Sequence, residues 1–511
     1  MGANRRTTTR LVSRLRLAGR EQQGYILILA MLILVAVGMA AMTLLTQVVT
    51  NQQHVIRDRA YSESLAVAEA GLNQYLWMVA SGTSSDSNGF AIPGNTGPFP
   101  QWEKLSLTDI YNDSVKGTYA IQVTPPTATD SRLLVTVTGM AASSTDVPRT
   151  VSAHLGRPAF SEYVMLTDDE VWIGGPIGRL WHGKTHSNTG VIIDTSNITD
   201  PVTCANATYN SDMFGGSHNG VWSGGDPGSK VPSTDPSVAL WKFPVPAISF
   251  TTVTSDFARL SGLATGSGIN LPYSTSTAHD ARQGWYIKLL PGKQYQIQRV
   301  SGETETNSGY GGGLTLVAPT PLAPSGVLSY PANGVIYVND NVWVEGTNLT
   351  GRLTIASSGQ LNGSGKTAAT SIHVVDNLTY ATLDGKVAVG LIAQNNIEIP
   401  SYAPLSNTHD DVETIDMTID AAMIAQQGKE YAVAADLGGP DRDLLTIYGS
   451  VSSLHTPYRY SPSTDGGFEN GANTYDTFLL HNPPPYFPTV GSYQILDWRE
   501  LPSSQGVFNL H

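Results

Sequence analysis

The feature that most constrains this chain is an apolar run, Tyr25 to Leu45, set directly behind an arginine-rich start. A helix needs about 20 mostly apolar residues to cross the hydrocarbon of a bilayer, and YILILAMLILVAV continuing through GMAAMTLL supplies them. No charged residue falls between Gln22 and Ile56. Ahead of the run stand Arg5, Arg6, Arg10, Arg14, Arg16 and Arg20 against one acid, Glu21, so the leader carries a net +5. Basic residues are retained on the cytoplasmic side. The expectation is therefore one crossing of a bacterial cytoplasmic membrane, with the bulk of the chain outside.

Three kinds of segment have this form. A secretory signal peptide has a shorter apolar core followed by a small-x-small cleavage site; here the core is long and no such site follows it. A signal anchor keeps its leader. The third kind is cut ahead of the apolar core, at Gly24–Tyr25. QQG followed by YILILAMLILVAV resembles the start of a type IV pilin-like protein. RDRAYSESLAVAEAGLNQYL, from Arg57 to Leu76, resembles the N-terminal domain of the PilX-type minor pilins, with their AEAGL element at Ala68 to Leu72. The resemblance implies cleavage after Gly24 by a prepilin peptidase and N-methylation of the new N-terminal Tyr25. It also implies other pilins or pseudopilins as partners through the helix, and a place at the cell surface or in a pilus.

One position departs from the pattern. Major pilins carry a glutamate four residues after the new N-terminus, where this chain has Leu29. In a fibre that carboxylate is thought to neutralise a neighbouring subunit's amine, and an uncompensated buried charge is costly. The tip pseudopilin of type II secretion is similar to this chain in that omission. The resemblance therefore implies a minor, low-copy subunit that primes, tips or modifies a fibre.

Beyond Leu45 the pattern turns amphipathic. Val48, Val49, Val55, Ile56, Leu65, Ala68, Leu72, Tyr75, Leu76 and Val79 recur mostly at helical spacing, which predicts one stripe. Glu63 and Glu69 lie off that stripe or at its margin. The second half of the helix is expected to pack on its own globular domain and the first half on lipid or on equivalent helices. Gly38, Ala40 and Ala41 allow close approach there. Gly38 also loosens the helix, since glycine costs about 1 kcal/mol relative to alanine. Gly82 and the serine-rich run around it are expected to end the helix.

With the leader's +5 removed from the chain's −13, the remainder carries −18. That excludes a positive footprint for nucleic acid. Charged residues make up only 14%, with 51 glycines and 30 prolines, so the fold class expected is α+β and mostly β. Cys204 is the only cysteine, which rules out an intrachain disulfide, and nothing near it marks an activated thiolate.

The organisation expected is a leader over 1–24, a pilin-like helix over 25–82 with its span at 25–45, and a small β head over 83–159. A β-rich irregular domain follows over 160–330, then β-solenoid-like repeats over 331–455 and a Pro/Tyr-rich C-terminal cap over 456–511. In the head, GTYAIQV, RLLVTVTGMA and RTVSAHL alternate as strands of an antiparallel sheet, while 83–116 reads as a loop-rich connection. In the body, VIYV at Val335, LTIA at Leu353, IHVV at Ile372 and VGLIA at Val389 start 18, 19 and 17 residues apart. That spacing predicts successive coils of a parallel β-helix-like solenoid, each burying its inward side chains only by stacking on the next. A β-sandwich is the alternative. LWHGKTHSNTGVIID and NPPPYFP with the later WRE are similar to segments of large, uncharacterised pilus-assembly-like proteins with a PilX-type start. The prolines there enforce an extended strap, expected to cover an exposed sheet edge.

No chemistry is expected. The chain has no G-x-S-x-G, HExxH or P-loop. His182 and His186 invite a zinc reading, but they sit in a strand-and-turn pattern with no third ligand at a recognisable spacing. Most of the carboxylates Asp340, Glu345, Asp376, Glu398, Asp410, Asp411, Asp416 and Asp420 fall at expected turns, and Arg352, Lys366 and Lys386 are the few bases among them. Neither a metal nor a cofactor is therefore expected. The alternative function is a membrane-anchored adhesin, in which Trp172, Trp181, Trp222 or Trp343 stacks on sugars; in β domains such residues more often serve the core.

Overall fold

The computed structural model describes residues 8–81, 90–92, 97–109, 111, 113–125, 132–143, 147–174, 180–194, 198–224, 230–273, 282–305, 312–317, 326–363, 366–405, 415–437, 441–461, 466–490 and 493–502. The protein is mostly β, with one long N-terminal apolar helix. It forms two compact units, 1–123 with 135–153 and 498–511, and 124–134 with 154–497.

In the first unit a continuous helix, α1 (Thr8–Ser81), precedes the strands β1 (Gln101–Thr108), β2 (Val115–Thr124), β3 (Leu133–Ala141) and β4 (Arg149–Gly156). The sheet order is β1–β2–β3–β4, with the strand Gln494–Leu501 beside β4. β1 and β2 are antiparallel, Gln101 opposite Val123. β1 lies within the stretch expected to be a loop: QWEKLSLT alternates polar and apolar residues but contains two charges, which hid it.

The helix meets the sheet along Ala60, Ser64, Val67, Ala68, Leu72, Tyr75 and Val79, all buried. This corrects the expected stripe. Leu65 and Leu76 sit half-buried at its margin, and the small residues Ser64 and Gly71 sit inside it. Small residues are needed because the backbones come close. A Cβ on Gly139 of β3 would lie 2.3 Å from the Ala68 amide nitrogen, and one on Gly71 would lie 2.6 Å from the Tyr119 ring. The AEAGL element is thus the place where α1 is seated on its sheet. Ser64 Oγ accepts the Ala141 N–H at 3.0 Å. The helix ends at Ser81; Gly82 lies outside the described residues.

In the second unit most strands pair in parallel. One long ladder runs through Ile269–Leu271, Val335–Val338, Arg352–Ser357, Ala388–Ala393, Met417–Ala425, Asp441–Ser453, Met165–Thr167, Thr185–Ser187, Val202–Cys204 and Trp241–Lys242. Its registers align one column of side chains: Ile269, Ile336, Ile355, Leu391, Met423, Val451, Met165, Thr185, Val202 and Trp241. Ile336 through Val202 in that column are buried. Its one hydroxyl, Thr185 Oγ1, accepts the indole N–H of Trp181 at 2.9 Å, so that buried hydroxyl has a partner.

A second parallel ladder joins Gly284–Leu290, Asn341–Leu349, Ile372–Tyr380, Ile397–Ile399 and Glu430–Ala432. A third aligns Leu378, Ile419, Ile447, Asn473 and Trp181. Side chains from all three ladders meet in one core cluster. The expected repeat is corrected in detail. VIYV, LTIA and VGLIA are neighbours in the long ladder, whereas IHVV belongs to the second, beside VWV.

The order of rungs departs from the order of the chain. Residues 165–242 extend the ladder beyond Ser453, and the chain then reappears at the opposite end with Ile269. Between the two ends runs a helix, α2 (Thr252–Ser267), in a region expected to be irregular. Its Val253, Phe257, Leu260 and Ala264 are spaced as one face. They pack on Leu166, Val335, Tyr337, Ala356, Ala388, Ile392, Ala422 and Ile424. The segments 160–330 and 331–455 therefore share one ladder. The NPPPYFP strap lies on this same outward face rather than over an edge. Phe487 and Val490 join that cluster, Thr354 Oγ1 donates to the Pro485 carbonyl at 2.5 Å, and Arg352 Nη2 donates to the Asn482 carbonyl at 2.6 Å.

Candidate functional site

The candidate site is the first half of α1. From Tyr25 to Arg59 every residue is exposed, while from Ala60 onward one face is buried. Among the described residues this is the one helix long and apolar enough to cross a membrane, with a mean hydropathy of 2.7 in its most apolar window. At 1.5 Å per residue, the uncharged stretch from Tyr25 to Ile56 spans roughly 48 Å, more than the ~30 Å of a bilayer core. Its polar side chains are satisfied locally. Thr43, Thr46 and Thr50 donate to the carbonyls of Met39, Met42 and Thr46 at 3.0, 2.7 and 2.8 Å. Such internal bonding suits a surrounding without water.

Gly24 lies within the helix, and Tyr25 follows with 78% exposure. Leu29 is 60% exposed on the same stretch. A Cβ on Gly38 would meet nothing within 4 Å, so in this chain alone the glycine answers no packing need. Glu63 lies where exposed helix gives way to seated helix. It pairs with Arg59 at 2.7 Å and accepts the Ser143 hydroxyl. The Ser143 bond, then the Arg59 bond, hold its carboxyl below the usual range. Glu69 is half-buried on the seated part.

The residues weighed for chemistry are placed apart. His182 and His186 stand on separate strands, Leu180–His182 and Thr185–Ser187. His186 Nε2 lies 3.0 Å from Asn188 Oδ1, an oxygen that also accepts the Ile248 N–H, while its Nδ1 lies 2.9 Å from Thr203 Oγ1. That pattern assigns the proton to Nε2, and burial pushes the ring's pKa down. Both nitrogens are thus committed to protein partners. Among the described residues no group of three or more His, Cys, Asp or Glu is placed to hold a metal. Cys204 is buried, its Sγ 3.4 Å from the Thr189 carbonyl, and burial pushes its thiol up, opposite to activation.

Several of the carboxylates are taken up by nearby donors. Asp376 accepts the Asn377 N–H at 2.7 Å, Asp416 the Leu444 N–H at 3.2 Å and Asp420 the Tyr380 N–H at 2.7 Å. Asp340 accepts the Asn341 N–H at 2.9 Å, Glu398 the Asn396 amide at 3.0 Å and Glu345 the Lys288 ammonium at 2.8 Å. Arg352 clamps the strap, and Lys386 pairs with Asp384 at 2.6 Å. Asp410 and Asp411 lie outside the described residues, as does the side chain of Lys366.

Of the four tryptophans considered for ligand stacking, Trp181 and Trp343 are core. Trp343 is stacked on His373 at 4.6 Å and donates to Glu303 at 2.8 Å. Trp172 and Trp222 are part-exposed, on the outer strands of a short parallel sheet formed by Val171–Ile173, Val191–Ile193 and Val221–Trp222. Trp241, at the end of the long ladder, went unnoticed in the sequence because WK is an isolated apolar–basic pair among prolines.

No family model matches the chain, and no curated protein matches it. Among solved structures, the chain is similar to the competence-associated pilin ComZ from Thermus thermophilus, at 12% identity over 86% of this chain and 97% of that one, with a TM-score of 0.28.

Proposed function

We propose that the protein is a minor pilin-like structural subunit of a type IV pilus or pseudopilus assembly, acting as a priming, tip or accessory component. The observation that carries this reading is the division of α1. One continuous helix is wholly exposed and uncharged from Tyr25 to Ile56, then seated on its own sheet from Ala60. Exposed apolar surface on this scale calls for lipid or like helices to cover it. A basic leader ending at Gly24 ahead of an aromatic residue supports removal of that leader by a prepilin peptidase, with methylation of Tyr25. Leu29 in place of an acid supports a low-copy position.

The β body is read as a parallel solenoid carried outside the cytoplasmic membrane. The aligned column from Ile269 to Trp241 supports that reading. No catalytic role, cofactor or nucleic-acid partner is part of the proposal. Deleting the host's prepilin peptidase tests it: the protein from the deletion strain should be larger by the leader, and Gly24→Ala should reproduce the shift in a wild-type strain. Equal size in all three preparations would reject the assembly reading in favour of a signal anchor.

A further inference from the structure

At the end of the long ladder the terminal rung opens into a cleft of about 530 Å³. Trp241, the last member of the aligned column, and Trp222, on the outer strand of the short sheet, both line it. Phe243 adds a third aromatic surface, while Asn219, Ser233 and Lys230 place an amide, a hydroxyl and an ammonium group on the lining. Those three residues are exposed. In a chain of net charge −13, no acid lines the cleft among the described residues, and Lys230 is the one charged residue of that described lining.

Trp222 is held in a fixed pose. Its indole N–H donates to the Tyr209 hydroxyl at 2.9 Å, and His218 stacks on the ring at 3.6 Å with 5° between the planes. Phe214 meets it edge-on at 6.3 Å. A ring fixed in this way presents apolar area with little entropy left to lose on binding. Cavities of about 300–1,000 Å³ with apolar walls and a few polar groups are typical of small-ligand sites.

We propose that this cleft binds a short carbohydrate, about two sugar rings long, either neutral or carrying a carboxylate. The C–H face of a sugar ring matches an indole face, and hydroxyls at the ring's rim match the amide, hydroxyl and ammonium donors. The Lys230 ammonium admits a sugar carboxylate and repels a cationic ligand. This inference goes beyond the assembly role and is independent of leader processing.

The test is saturation-transfer NMR on the full chain in lauryldimethylamine oxide, a detergent without a sugar head group. The probes are cellobiose, N,N′-diacetylchitobiose and digalacturonic acid, with an extended Thr-Val-Thr-Val peptide alongside. At least one sugar should show saturation of its ring C–H protons. Its affinity should fall at least tenfold both in Trp222→Ala and in the double variant Asn219→Ala/Lys230→Ala, whose exposed positions leave the fold's melting temperature unchanged. No saturation of any of the three sugars at 10 mM would overturn the proposal, as would binding that both variants leave intact. Saturation of the peptide in place of the sugars would assign the ladder end to strand addition and overturn it equally.

Discussion

Arg459 and Glu430 face each other inside the body, Nε to Oε2 at 2.8 Å, with 3% and 1% of their side chains exposed. Arg459 Nη1 also donates to Asn473 Oδ1 at 2.8 Å. Removing one member of such a pair strands the other's charge out of water, at a cost of about 3–5 kcal/mol. Arg459→Leu should therefore lower the denaturant midpoint by that equivalent, and an unchanged midpoint would contradict the buried pairing. Asp420 gives a second test. Burial pushes its carboxyl up to about 6, against the opposing pull of the Tyr380 N–H, with the nearby Asp476 pushing further upward. A carboxyl raised in the folded state contributes stability that is fully present below its unfolded value near 4 and lost as pH rises through 6. Asp420→Asn keeps an acceptor for Tyr380 and should flatten stability between pH 4 and 6, with a gain of roughly 1–3 kcal/mol at pH 7. A wild-type pH profile in the variant would contradict the shift. Neither residue's role was legible beforehand: Arg459 sits in a Tyr/Pro-rich stretch and Asp420 at an expected turn, and only long-range pairing buries them.

Among the elements, α1 was the most legible and α2 the least. The apolar run and the AEAGL element are local in sequence, so the span and the seat of α1 could be read directly. Even so, aliphatic spacing misplaced the stripe, because the residues in closest contact are small. Gly139→Ala tests that contact: its Cβ would meet Ala68 and Ser64 backbone rather than a flexible side chain, and overpacking of this kind costs about 1–3 kcal/mol. The variant should melt lower, with faster hydrogen exchange around residues 64–72. An unaltered exchange pattern would mean that α1 is not seated through β3. In α2, Thr, Ser and Gly residues obscured the 4-3-4 spacing of Val253, Phe257, Leu260 and Ala264. The apolar outer face of the ladder stabilises that helix in spite of its weak intrinsic propensity. The spacing near 18 residues had a mixed origin. It joined rungs of two ladders, because the hairpin Gln360–Gly363 with Lys366–Ala369 lengthens the path between LTIA and VGLIA.

For the whole molecule, the sequence displayed the strands but not their order. A ladder in which residues 165–242 follow residue 453 depends on pairings far apart in the chain, and local pattern carries no trace of them. The stem was legible because its constraint is solvent rather than pairing: a helix exposed and uncharged over some 48 Å leaves a large apolar surface to be covered, by lipid or sister helices in the proposed reading. The central claim is that this stem is trimmed at its inner end and then shared between subunits. N-terminal mass spectrometry of the protein extracted from native membranes tests it most directly. The account predicts a mature chain beginning at N-methylated Tyr25. A chain that retains the six leader arginines ahead of Gly24 would contradict it.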